Sequence, residues 1–138
     1  METGAGPHPS VSDQAAPYAA CRPNISGAGR RRRLRIGYIA TVLSLALLAL
    51  FVARGSAWYL RALIFVPAGL AAVSLLQVRR NTCVARAAEG TFEHEDFSRT
   101  PAPDDDVAAS RRVAAGIRRD SLLIALGCAI LAAITAWV

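Results

Sequence analysis

The chain has 138 residues and a net charge of +6, with 54% apolar and only 19% charged residues, and its mean hydropathy is +0.34. That is one small unit, too apolar for an ordinary soluble domain of this length and too apolar for a disordered chain, so a membrane protein is expected. All 16 basic residues are arginine. With the abundant alanine, this points to a GC-rich bacterial gene. The arginines flank apolar runs instead of interleaving with aromatic residues, so the basic charge is read as membrane orientation and no nucleic-acid partner is expected.

Residues 1–29 hold four of the seven prolines and four of the ten glycines. So little large apolar surface cannot offset the entropy of ordering, and a disordered tail is expected. Tyr18, Ala19, Ala20 and Cys21 have the look of a lipoprotein cleavage site but lack the basic start and apolar run before it. The membrane unit is expected over 30–138. It opens on Arg30, Arg31, Arg32, Arg33 and Arg35, followed by a first span over 36–53, whose 18 uncharged residues reach roughly 27 Å of an about 30 Å hydrocarbon core.

A second span is expected over 58–78. Arg61 in its first turn is placed to snorkel toward the headgroups, and Pro67 predicts a kink near 63–67. A cytoplasmic hairpin over 79–120 then pairs two helices. The first runs over 77–89 and is closed by Gly90; the second opens on Asp104, Asp105 and Asp106, acidic residues suited to a helix start. A third span occupies 121–138. The fold class is therefore an all-α membrane protein, with three transmembrane helices and a cytoplasmic helical hairpin between the second and third.

Six arginines precede the first span and eight, among them Arg79, Arg80, Arg118 and Arg119, lie in the long loop, against two in the short link. The arginine bias places the N-terminus and the hairpin in the cytoplasm and the C-terminus outside. Trp58, Tyr59 and Trp137 fall at the outer interface and Tyr38 at the inner one, as amphipathic rings should.

No charged residue or histidine lies deep in a span, which argues against a single-chain ion or proton pathway. Ala125, Ala129 and Ala133, four residues apart, and Ala68 and Ala72 in the second span form small-residue stripes for close helix packing. The packing is within the chain, with a homo-oligomer or another membrane protein as the alternative. Cys83, with Arg79 and Arg80 nearby, is the possible reactive thiol and is expected to face the cytoplasm; nucleophilic work would require a base such as His94 beside it. The acidic tip, Glu93 to Asp96, is read as a solvated turn. No spacing suits a metal or a catalytic group, so neither a cofactor nor an enzymatic activity is expected.

From Arg35 through Gly90 the chain resembles the small bacterial inner-membrane domain found alone or fused to rhodanese sulfurtransferases. The likeness rests on the basic lead-in, the two-span hairpin and Cys83 after it. The resemblance implies a small inner-membrane protein. The rhodanese nucleophile loop is missing and a third span is added, so sulfur transfer does not carry over. The function expected is that of a multi-pass accessory or scaffold protein, acting through helix packing and the charged hairpin, with the lipid bilayer as its first partner. The alternatives are a subunit of a multimeric transport or pore complex and, further off, a thiol-dependent redox protein using Cys83.

Overall fold

The computed structural model describes residues 23–136. Most of the expected tail, and Trp137 at the expected outer interface, lie outside the described residues. Five helices and one two-stranded hairpin follow in order: α1 (Gly27–Ala53), α2 (Trp58–Ala62), α3 (Phe65–Arg79), α4 (Val84–Glu89), β1 (Thr91–Glu93), β2 (Arg99–Pro101) and α5 (Asp104–Ile134). The protein is mostly helical, and two helical stretches, α1 and the α2–α3 run, are long and apolar enough to cross a membrane.

Helix α1 begins well before the first apolar run. Ser26 is its N-cap, accepting a hydrogen bond from the Gly29 backbone N–H at 2.9 Å. The helix then continues through the arginine block, since arginine is a good helix former. Residues 24–29, expected to belong to the disordered tail, are thus part of the packed structure, and Asn24, Ile25 and Ser26 are buried.

The expected kink in the second apolar stretch is present at Leu63 and Ile64, between α2 and α3. Pro67 has no N–H to give to the Leu63 carbonyl. That carbonyl accepts instead from the Val66 N–H at 3.2 Å, and the chain tightens locally to three-residue hydrogen bonds.

The predicted helix over 77–89 is two pieces. After Arg79 the chain turns at Asn81, whose φ of +48° is tolerated by asparagine but ends a right-handed helix. Only α4 continues to Gly90, whose φ of +68° makes it the expected left-handed cap. Between Gly90 and Asp104 the expected turn is a short antiparallel hairpin with Phe92 opposite Thr100. Helix α5 starts on the three aspartates and runs unbroken into the third apolar stretch.

Helix α3 is central, with α1 and α5 both packed against it. The α1 crossing is close: a Cβ on Gly37 would lie 2.7 Å from Leu75 Cδ2. At the α5 crossing, a Cβ on Gly69 would lie 3.4 Å from Ala125 Cβ. Ala68 and Ala72 are buried on α3, and Ala125 is 1% exposed.

The rest of the α5 stripe differs from the expectation. Its buried positions are Ser121, Ala125 and Ala132, whereas Ala129 and Ala133, like Cys128, are half-buried. The cause is geometric. A strict four-residue step turns about 40° past a full turn, so the third member of such a series leaves the contact face, while mixed steps of four and three stay on it.

The large exposed apolar side chains all lie between Tyr38 and Leu70 or between Leu122 and Ile134, with Phe97 the one exception among the described residues. The apolar windows of α1 and of the α2–α3 run are only 11% and 33% buried. The core helix of a soluble protein would be mostly covered; these present their apolar faces outward.

Candidate functional site: a buried polar head at the arginine-rich end

The functional candidates gather at the end of the molecule where α1 begins and α3 ends. Arg33 on α1 is the centre. Its Nε donates to Gln77 Oε1 at 3.3 Å and its Nη2 to Cys83 Sγ at 2.8 Å, while Nη1 lies 3.5 Å from Glu93 Oε1. Gln77 Oε1 also accepts from the Val84 N–H, tying the end of α3 to the start of α4.

Asn24 fastens the preceding segment. Its Oδ1 accepts from the Cys83 N–H at 2.6 Å, its Nδ2 donates to the Cys83 carbonyl at 3.3 Å, and its own carbonyl accepts from the Glu93 N–H. The side chain thus acts as a backbone surrogate, closing a two-bond pair with residue 83 as a neighbouring strand would.

Glu93 is the buried anion of this head, its side chain 3% exposed. Ser26 Oγ donates to Oε1 at 3.2 Å and Arg86 Nε to Oε2 at 3.3 Å. Burial works to raise the Glu93 pKa, but the Arg33 charge and the hydrogen bonds from Arg86 and Ser26 outweigh it and hold the carboxyl below the ordinary value of 4.5. Burial likewise disfavours the charged form of Arg86, yet its hydrogen bonds to Glu89 and Glu93 win and raise its pKa. Gly29 has no side chain because none fits: a Cβ there would overlap Glu93 Oε1.

Glu95 completes the joint from the hairpin. Its two carboxylate oxygens accept from the Gly27 and Ala28 N–H groups at 2.6 and 3.0 Å, placing a negative charge on the exposed donors at the start of α1. Helix α5 buttresses the other side. Arg111 donates to the carbonyls of Ala87 and Ala88, and Arg80 pairs with Asp120 at 2.5 Å. The hydrogen bonds from Arg80 and Arg119 hold the Asp120 pKa below the usual carboxylate value.

The sequence-predicted residues divide accordingly. Cys83, expected to face water beside Arg79 and Arg80, is 3% exposed and lies under Arg33; Arg79 points to the surface and Arg80 is engaged with Asp120. His94 sits on the exposed hairpin, hydrogen-bonded to Thr100, and the partner of Cys83 Sγ is a donor and not a base. Arg30, Arg31, Arg32 and Arg35 are exposed on the first turns of α1, with Arg31 at 3.9 Å from Glu95. Arg118 is exposed, and Arg119 is hydrogen-bonded to Asp120.

Asn24 and Glu93 were missed. The available signal was Ser26, a good N-cap residue ahead of a helix-forming arginine run; nothing local marks Glu93 as buried.

Among the described residues no buried side-chain nitrogen or oxygen lacks a partner, and no three His, Cys, Asp or Glu side chains converge as metal ligands would. The buried polar side chains of the head are committed to other parts of the chain, which is the chemistry of a joint. Comparison of the chain with protein-family models, with curated proteins and with solved structures finds no match.

Proposed function

We propose that the chain is an accessory or scaffold protein of the bacterial inner membrane, crossing it three times and holding a rigid polar head in the cytoplasm. The observation that carries this reading is the contrast in how side chains are used. The head spends its buried charges on itself, while α1, α2–α3 and the second half of α5 leave large apolar side chains uncovered. Such a surface suits lipid, and such a head suits presentation of a fixed shape to a partner.

Residues 121–134 supply the third crossing. The arginine excess at the head sets the N-terminus inside and the C-terminus outside.

Fusion of a phosphatase active only in the periplasm tests the topology. Activity is expected at Val138 and silence after Arg99; the reverse would overturn it. Affinity purification of the full chain in mild detergent tests the role, with a second membrane protein expected to co-elute in stoichiometric amount. A pure homo-oligomer that leaks solute from vesicles would replace the scaffold reading with a pore.

A further inference from the structure

Helices α1 and α5 both lean on α3 without closing on each other, and a crevice remains between them. It has two continuous parts, of about 380 and 210 Å³, which share Ser44, Leu45, Ala68 and Cys128 as walls. The larger part runs along α3 from Ala68 to Arg79.

Three features define what fits. The floor is small and apolar, formed by Ala68, Ala71 and Ala72. The two hydroxyls on the α1 wall donate within their own helix, Thr41 to the Gly37 carbonyl at 2.8 Å and Ser44 to the Ala40 carbonyl at 2.7 Å, so neither has a proton left to give to a ligand. And Arg79 stands at the mouth, exposed and without an ion pair or hydrogen bond among the described residues, although its neighbour Arg80 is paired.

Length selects the occupant. Eleven residues of α3 separate Ala68 from Arg79, roughly 16 Å at 1.5 Å per residue, which is about one leaflet of an approximately 30 Å hydrocarbon core. A slot one leaflet deep, apolar along its walls and cationic at its mouth matches one acyl chain with a phosphate above it.

We infer that the α1–α3–α5 crevice is a binding site for an anionic phospholipid of the arginine-rich side, with one acyl chain on the alanine floor and the headgroup phosphate on Arg79. This rests on the membrane reading given above. A second copy of the chain or a partner helix gains nothing from a lone cation at one end.

The full chain in detergent is titrated with phosphatidylglycerol and with phosphatidylcholine, and binding is read by native mass spectrometry. Phosphatidylglycerol is expected to bind more tightly. Arg79→Gln is expected to remove the preference, a loss of about fivefold for one arginine at a membrane surface. Arg32→Gln, which removes an exposed arginine away from the crevice, is expected to leave it intact. Ser44→Phe, filling the crevice from the α1 wall, is expected to weaken both lipids without lowering helicity by circular dichroism.

Equal binding of the two lipids, equal effects of Arg79→Gln and Arg32→Gln, or wild-type binding by Ser44→Phe would each overturn the site, as would a dimer whose cross-links map to Ser44 and Cys128. Carbonate extraction of cell membranes separates the two levels: release of the chain into the soluble fraction overturns the membrane reading itself, and retention with any of the preceding results overturns only the crevice.

Discussion

The two ends of this molecule are held together by opposite means. In the apolar shaft, α3 meets its neighbours through Gly69, Ala68, Ala72 and Ala125, and contact comes from the absence of side-chain volume. In the head, segments distant in sequence are joined by long polar side chains, with Arg33 reaching residues 77, 83 and 93 at once. The shaft would tolerate lipid or protein against most of its surface. The head tolerates little, because each buried charge there is offset by a named partner.

The sharpest way to break this comparison is Glu93→Ala. Removing the anion leaves Arg33, its side chain 17% exposed, without a carboxylate partner, and takes from Arg86 one of its two. Breaking a buried pair in this way costs about 3–5 kcal/mol. Denaturant unfolding in detergent is expected to show a loss of this order, with the head signal, read by a fluorophore on the hairpin, lost before the shaft helicity. Simultaneous loss of both would mean that head and shaft are one cooperative unit.

The shaft has a matching test of smaller effect. Ala125→Leu inserts three carbons opposite Gly69, where there is no room, and overpacking costs about 1–3 kcal/mol. Ala129→Leu and Ala133→Leu lie beside the contact face and are expected to cost clearly less. Thermal melting of the three variants in the same detergent separates them, and equal melting temperatures would remove the distinction between face and flank.

These two sites also show what the sequence could and could not disclose. The shaft was legible because its rules are local. Uncharged runs of span length, arginines at their ends and a proline with no N–H to give each act within a few residues, and the kink at Leu63 and Ile64 fell where Pro67 put it. The alanine stripe was legible as a stripe but not in its phase, which depends on where a neighbouring helix lies. The head was not legible, since Asn24 and Cys83 are 59 positions apart and Ser26 and Glu93 are 67 apart. Pairings at that separation leave no mark in composition, and Glu93, within a run of four ionisable residues, looks like any solvated acid. The short strands were hidden for a related reason: Thr91 to Glu93 acquires strand character by pairing with Arg99 to Pro101 and from the backbone of Asn24.

Acid sharpens the comparison further, because the head should respond to it and the shaft should not. The Glu93 pKa in the fold lies below the ordinary 4.5. The stability it contributes is therefore fully present above the unfolded value and is lost as pH falls through the folded one. Glu89, Asp96 and Asp120 are lowered too, by hydrogen bonds from Arg86, from Ser98 and from Arg80 with Arg119 respectively, so the acid limb has several contributors. Comparing wild type with Glu93→Gln between neutral pH and pH 3 isolates the share of Glu93. The variant is expected to start less stable and to lose less on acidification. Parallel curves would mean that Glu93 carries no linked proton.

The smallest effect lies at Ser26, where the two ways of holding the molecule meet, since one hydroxyl both begins the shaft and serves the head. Its oxygen accepts from the Gly29 N–H at 2.9 Å and its proton goes to Glu93 at 3.2 Å. Ser26→Ala removes both and is expected to cost about 1 kcal/mol, the usual size of an N-cap loss. The choice of replacement then tells cap from network. Asparagine and aspartate serve about equally well at an ordinary N-cap. Here asparagine can keep the acceptor for Gly29 and still offer an N–H to Glu93, whereas aspartate brings a second carboxylate against a buried one. Ser26→Asn is therefore expected to retain more stability than Ser26→Asp at neutral pH, and the gap should narrow in acid as the carboxyls protonate. If the two variants melt together at every pH, Ser26 serves the helix alone and its bond to Glu93 adds nothing to the head.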